Sequence, residues 1–171
     1  MTLIVCPLSQ VESVISARAP SHLVTLLDPS SLIATPAGLV PERHLKLGVN
    51  DVVEPTEGRV CPDPPIVARL LAFGGGWDAA RPMLIHCWAG ISRSTAAAFV
   101  LACQRDPEVP ELEIAATLRA ASALAHPNRR IVAVADALLG RGGRMVEAIE
   151  AIGPGEAAEE NRAFDLPVRY R

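Results

Sequence analysis

The sequence predicts an α/β fold: a central, mostly parallel sheet flanked by helices, with a cluster of helices towards the C-terminus. Three observations predict it. Short apolar runs suited to buried strands alternate with segments of helical period through the first half of the chain. Beyond Asp106-Pro107 the periodicity is helical throughout. Between these halves, the nine residues His86 to Ser94 bridge a strongly apolar strand and an almost wholly apolar helix. A length of 171 residues fits one domain, read as residues 1–154, followed by a tail, 155–171.

Thr2-Leu3-Ile4-Val5-Cys6 reads as the first strand, ended by Pro7. Ser9 stands as the cap of a short helix over residues 10–18, with Val11, Val14 and Ile15 on one face. His22-Leu23-Val24-Thr25-Leu26-Leu27 is the next strand, stopped by Asp28-Pro29, and His22 reads as a surface or hydrogen-bonded histidine. The loop formers of residues 28–41 lead into His44-Leu45-Lys46-Leu47-Gly48-Val49, which alternates as a strand. Asp63-Pro64-Pro65 has the acidic cap and first-turn prolines of a helix whose apolar face is Ile66, Val67, Leu70 and Leu71. Gly74-Gly75-Gly76 weakens its end. Pro82-Met83-Leu84-Ile85 suits a buried parallel strand behind a proline, and residues 94–102 form a helix buried on nearly every side.

In the helical part, Pro110 suits a helix start, Glu111 and Glu113 complement the positive end of its dipole, and Ile114, Leu118 and Ala121 face inward. His126 is a loop residue, and Asn128 is a natural cap for a helix carrying Ile131, Val132, Ala135, Leu138 and Leu139. Residues 140–143 hinge into a last helix around Met145, Val146, Ile149 and Ile152, closed by Gly153-Pro154. The tail is polar, then amphipathic. Disorder is the default for such a terminus; a strap on the domain or on a neighbouring subunit is the alternative that Phe164, Leu166 and Tyr170 offer.

Half of the residues are hydrophobic and a fifth are charged, which excludes extensive disorder. A net charge of −3 supplies no electrostatic ground for nucleic acid or an anionic membrane as partner. No apolar run approaches the roughly 18 residues of a membrane span, and the N-terminal run lacks the basic region and cleavage site of a signal peptide. A cytoplasmic location is therefore expected. The four cysteines, Cys6, Cys61, Cys87 and Cys103, show no paired zinc-ligand spacing and read as free thiols of a reducing compartment. Cys103 falls on the apolar helix. Cys6 is read first as a packed thiol, with a redox partnership to Cys87 open if the first strand lies beside the turn.

The segment His86-Cys87-Trp88-Ala89-Gly90-Ile91-Ser92-Arg93-Ser94 carries the chemistry. In a strand-to-helix turn, unpaired backbone N–H groups converge on one point and the helix dipole adds positive potential, which makes a cradle for a dianion. Arg93 can present a planar fork of donors to two phosphate oxygens. A thiol at the bottom of the cradle, Cys87, sits in a field that favours thiolate. A lone cysteine in an apolar stretch is usually a small buried hydrophobe; the complete spaced pattern sets this one apart.

These residues resemble the signature of the cysteine-dependent protein phosphatases: His-Cys, five residues, then Arg and Ser or Thr (CX5R). His86, Cys87, Arg93 and Ser94 fill every fixed place of it, and Ala89-Gly90 with Ser92-Arg93-Ser94 resembles the dual-specificity branch, where the loop commonly reads HCxAGxSRS. The resemblance implies a phosphatase-like loop between a central strand and a buried helix. It implies Cys87 as nucleophile, Arg93 as binder of the phosphoryl oxygens, Ser94 as stabiliser of the departing thiolate and His86 as the residue that orients the loop and tunes Cys87. Trp88, Ala89, Gly90, Ile91, Ser92 and Arg93 become the substrate-binding segment. The general acid of that branch is an aspartate on a loop a few tens of residues before the cysteine, and Asp51, directly after the third strand, fits it. Glu54, Glu57 and Asp63 are rivals, and the loop over residues 52–62 is longer than usual for the family.

The resemblance implies hydrolysis of a phosphomonoester through a cysteinyl-phosphate, without metal or other cofactor, with phosphotyrosine in a protein or an aryl phosphate favoured and dual specificity towards serine and threonine left open, since cleft depth decides it. Inorganic phosphate, sulfate and vanadate are expected as competitive ligands. Trp88, Ala89 and Ile91 stand where loops for inositol phosphates tend to carry lysines, which disfavours a highly charged head group, and Trp88 can flank an aromatic ring. Two other classes stay open: a phosphoprotein-binding module that keeps the cradle without turnover, and a rhodanese-like sulfurtransferase, in which Arg93-Ser94 and Asp51 would lack a purpose. Oligomeric state is not legible.

Overall fold

Strict alternation along the first strand sets the frame. In β1 (Thr2–Pro7), Leu3 and Val5 enter a large apolar core while Ile4 and Cys6 enter a smaller one on the opposite face. The computed structural model describes residues 1–168. β2 (His22–Leu27), β3 (His44–Gly48) and β4 (Met83–Cys87) run parallel to one another and to β1, in the order β3-β2-β4-β1. β4 enters between β1 and β2, and all five of its residues are buried. Its C-terminal end is thus the centre of the sheet edge at which α/β folds place ligands.

The helices divide unequally. α1 (Val11–Arg18) covers the smaller face with Val11, Val14 and Ile15. The larger face carries α2 (Pro64–Gly75), α3 (Arg93–Arg105), α4 (Glu111–Ala121), α5 (Arg129–Leu138) and α6 (Arg144–Ala151). Asp63 and Asn128 cap α2 and α5 as expected, each accepting at 3.0 Å from the backbone N–H three residues on. α3 lies at the centre, with every residue from Arg93 to Cys103 buried. Its contact with α2 explains the glycine run: a Cβ on Gly74 would stand 2.4 Å from Leu101 Cδ2, so that glycine permits close approach rather than merely weakening a helix end. No helix among the described residues is long and apolar enough to cross a membrane.

Two expectations are corrected, and for Cys6 the first reading, a packed thiol, holds while its redox alternative falls away. Ser9 does not cap α1; it lies in a preceding 3₁₀ turn, its hydroxyl donates to Glu160, and Gln10 is the cap residue with no side-chain bond. Cys6 and Cys87 leave β1 and β4 on opposite faces, so the smaller core takes Cys6 and the larger one Cys87. The segment set apart as a tail is not a default disordered end. β5 (Phe164–Pro167) pairs antiparallel with β1, with Thr2 opposite Pro167 and Val5 opposite Phe164, and completes a five-stranded sheet. Leu166 and Val168 are fully buried in the large core, which supplies the hydrophobic reason for docking. Tyr170, the other side chain expected to hold the strap, lies outside the described residues.

Because Leu166 is a core residue, Leu166→Ala is expected to lower unfolding free energy by about 2–4 kcal/mol in chemical denaturation, the cost of a buried leucine rather than of a loose tail.

Candidate active site

The turn from Cys87 to Arg93 is shaped by its carbonyl groups. The Cys87 carbonyl accepts from His86 Nδ1 at 3.2 Å and the Trp88 carbonyl from the Leu8 N–H at 3.1 Å. Asn161 takes the next two, its backbone N–H donating to Ala89 at 2.9 Å and its Nδ2 to Gly90 at 3.0 Å. The Ile91 carbonyl accepts from the His126 N–H at 2.9 Å, and that of Ser92 from the N–H groups of Ala96 and Asn128 at 3.0 and 3.1 Å. Every carbonyl from residue 87 to 92 is thus held by the surrounding protein. In a trans peptide the N–H of the next residue points opposite to the carbonyl, so the N–H groups of residues 88–93 turn towards the inside of the loop. Among the described residues none of them donates to another protein group outside regular helix and strand pairing. Gly90, at φ +70°, is demanded by the same crowding, since a Cβ there would lie 2.7 Å from Pro7 N.

Arg93 opens α3 and is 6% exposed. Its Nη1 donates to Asp28 Oδ1 at 2.9 Å and to the Val49 carbonyl at 2.8 Å, whereas its Nε is buried without a partner. A buried guanidinium N–H left unsatisfied costs free energy, and here it lies on the side of the fork that Asp28 and Val49 leave open. A tetrahedral oxyanion seated against the inward amides would satisfy it bidentately. Cys87 is 2% exposed, and its Sγ lies 3.1 Å from Ser94 Oγ. Trp88, by contrast, is 62% exposed and forms the rim of a cleft of about 370 Å³ with Leu27, Asp28, Ser31 and Arg93.

Asp51 comes to the same loop. Its Oδ1 accepts from Ser92 Oγ and from Asn128 Nδ2, both at 2.8 Å. The long loop after β3 reaches this geometry because Asn50 ties its ends: the Asn50 N–H donates to the Val60 carbonyl at 2.9 Å and the Val60 N–H to Asn50 Oδ1 at 2.8 Å. Asp63 is engaged as the cap of α2, and Glu54 and Glu57 are exposed on the excursion between the tied ends.

Of the residues the sequence singles out, the structure brings His86 Nδ1 to the Cys87 carbonyl, Cys87 Sγ to Ser94 Oγ at 3.1 Å, and Asp51 to Ser92, next to Arg93. The sequence reading missed three others. Asp28 read only as a strand stop, although an acid at the C-terminal end of a parallel strand beside the central one faces the crevice. Asn50 carried no signal beyond a turn residue. Asn161 carried none, lying in a polar stretch assigned to the tail. Asn128 was read as a helix cap, and the structure adds its donation to Asp51.

Two histidines beside the site are buried. Burial lowers His86 from 6.5 to about 4, aided by His44 and Arg93 and opposed by its bond to the Cys87 carbonyl. Burial and then Lys46 lower His44 to about 4 as well. Burial foremost, with Cys87 nearby, pushes the Cys6 thiol up to about 12, which makes it a packing residue and a poor nucleophile.

No family model and no curated protein matches the sequence. Solved structures match its fold. The crystal structure of DUSP15 aligns at 16% identity over 90% of this chain and 92% of that one, with a TM-score of 0.56. The PTP-2 phosphatase of Cydia pomonella aligns at 17% identity over 78% and 83%, with a TM-score of 0.57. PTPMT1 in complex with PI(5)P aligns at 12% identity over 86% and 90%, also at 0.57. The chain has the fold of the dual-specificity and protein tyrosine phosphatases.

Removing the Asn161 side chain frees the Gly90 carbonyl and one face of the cradle. Asn161→Ala is expected to weaken orthovanadate binding roughly tenfold in calorimetry, the equivalent of about one hydrogen bond's worth of preorganisation. The histidines set an acid limit on stability. Both titrate near 4 when folded against 6.5 in the reference state, so the unfolded chain takes up protons first as pH falls. Their contribution is intact above about pH 6.5 and is lost on descent towards pH 4, on the order of 2 kcal/mol per ring by pH 5. Urea midpoints at pH 7 and pH 5 should show that loss, and His44→Gln should show about half of it.

Proposed function

We propose that this chain, which has the phosphatase fold, is a phosphomonoester hydrolase working through a cysteinyl-phosphate. The observation that carries this reading is one turn in which the Cys87 thiol lies 3.1 Å from Ser94 Oγ, the buried Arg93 keeps its Nε without a partner, and Ser92, the residue before it, is bonded to the Asp51 carboxyl. The inward amides and the open edge of Arg93 bind the three non-bridging oxygens. Cys87, as thiolate, attacks phosphorus in line with the leaving oxygen. Both hydrogen bonds to Asp51 fall on Oδ1, so Oδ2 is the oxygen that delivers a proton to the leaving group. In the second step the same Oδ2 takes a proton from water, which attacks phosphorus, and the thiolate departs towards the Ser94 hydroxyl. Fixed dipoles and one guanidinium neutralise the developing charge.

The substrate class is an aryl phosphate, phosphotyrosine in a protein being the natural form. Trp88 at the rim offers a flat apolar face to a ring, and Leu27 lines the cleft beside it. The Asp28 carboxylate stands in the same cleft, and no lysine lies between Cys87 and Arg93, which counts against a polyphosphorylated head group. Phosphate, sulfate and vanadate compete for the cradle. The short phosphorylated side chains of serine and threonine would leave Trp88 without a partner. The chain acts in the cytoplasm in this reading.

Hydrolysis of p-nitrophenyl phosphate with EDTA present tests it. Turnover is expected in the wild type, none in Cys87→Ser, and a fall of about 10²- to 10⁴-fold in Asp51→Asn, the range of a lost general acid. A freshly reduced wild type that binds vanadate without turning over substrate would overturn the hydrolase reading in favour of phosphoprotein recognition. Trp88→Ala is expected to raise KM for a phosphotyrosine peptide more than for a phosphoserine peptide.

A further inference from the structure

Four polar side chains with no bond-making part in the proposed reaction line up beneath the site. Thr35 Oγ1 lies 3.0 Å from His44 Nδ1, His44 Nε2 lies 2.8 Å from Thr25 Oγ1, and Thr25 Oγ1 lies 2.7 Å from His86 Nε2. His86 Nδ1 then meets the Cys87 carbonyl at 3.2 Å. Thr25 and His86 are fully buried and His44 nearly so. The row crosses β3, β2 and β4, and begins in the segment between Asp28, which holds Arg93, and β3.

Donor arithmetic orders every proton in it. A carbonyl oxygen only accepts, so His86 carries its hydrogen on Nδ1. A neutral ring then has a bare Nε2, to which the Thr25 hydroxyl donates. Thr25 has one hydrogen, so its oxygen must receive from His44 Nε2–H. The bare Nδ1 of His44 is left to accept from Thr35. The reverse order would set a bare Nδ1 against the Cys87 carbonyl, two acceptors in a buried place. Charged rings are disfavoured by burial and by the cations nearby, Arg93 beside His86 and Lys46 beside His44.

We propose that Thr35, His44, Thr25 and His86 form one directed chain of hydrogen bonds in which every donor points towards the Cys87 carbonyl, and that Thr25 and His44 are positioning residues for the nucleophile loop. Successive bonds in such a chain polarise one another. The last of them holds the Cys87–Trp88 peptide with its N–H inward, so the row fixes one wall of the cradle from beneath. The segment carrying Thr35 also joins the Asp28 side of the cleft to that wall. The value of this positioning to catalysis rests on the hydrolase reading; the direction of the chain does not.

The test uses the full chain with ¹⁵N-labelled histidine. Long-range ¹H–¹⁵N correlation at pH 7 is expected to show His86 protonated on Nδ1 alone and His44 on Nε2 alone. Alkylation of Cys87 by iodoacetamide at fixed pH, in a Cys61→Ser background, is expected to slow about three- to tenfold in Thr25→Val and to return to within about twofold in Thr25→Ser, since only serine restores the linking hydroxyl. The opposite tautomer in either ring overturns the proposal, as does a folded Thr25→Val whose Cys87 reacts at the wild-type rate. If Thr25→Val does not fold, the wild-type tautomers decide alone. Neither readout requires turnover, so a protein without phosphatase activity would refute the hydrolase reading and leave this test standing.

Discussion

The anion cradle depends on an indirect constraint: the loop's amides can face inward only because its carbonyls are held outward. The six carbonyls from Cys87 to Ser92 are held from five quarters of the molecule, namely the His86 ring, the start of the segment after β1, the connection between α4 and α5, α3 itself and the residues before β5. Each peptide plane transmits that hold to the next N–H. Preorganisation of this kind costs nothing when an anion arrives, because the reorientation has been done by folding. It also explains why Gly90 is needed: the loop lies so close to Cys6 and Pro7 that no side chain fits there.

The charged groups follow the same division between holding and acting. Arg93 is almost wholly buried, a costly place for a cation. Asp28 and the Val49 carbonyl both engage Nη1, which compensates the burial and fixes the plane of the fork while leaving Nε without a partner. Asp51 is held in parallel fashion by two donors on one oxygen. Asn50 and Asn128 bring it there from a loop that would otherwise be free to move, one by closing the loop upon itself and the other by joining it to the start of α5.

Beneath these groups, the sheet gives the site a polar underside. Thr25, His44 and His86 sit on strands where alternation would otherwise call for apolar side chains, and their stability cost below pH 6.5 follows from their burial as neutral rings. Such a row is tolerated in a core only when each member is satisfied, and here each has a partner on both sides.

The elements were legible in the amino-acid sequence because their signals are local. The short apolar run in residues 22–27, Asp63 and Asn128 at helix starts, and the almost wholly apolar run after Ser94 each depend on neighbours within a turn or two of chain. Cys87, Arg93 and Ser94 were legible as a spaced set for the same reason, since one short turn carries them all, and Asp51 was singled out by the family resemblance together with its place at a strand end. Asp28, Asn50, the second role of Asn128 and the whole contribution of Asn161 were not. The partners of Asn161, Asp28 and Asn128 lie far along the chain, 71 residues away for Asn161 and Gly90 and 65 for Asp28 and Arg93, while Asn50 closes a loop onto Val60, ten residues on, and no local pattern distinguishes any of them from ordinary turn or surface residues. For β5, the amphipathic pattern of Phe164 and Leu166 allowed a strap on the domain as the alternative to disorder, but the choice was made by β1 offering an edge and the core a place for Leu166. The sequence by itself determined that a thiol, a guanidinium and two hydroxyls share one strand-to-helix turn; tertiary packing decided which carbonyls are held, and therefore which way the amides point.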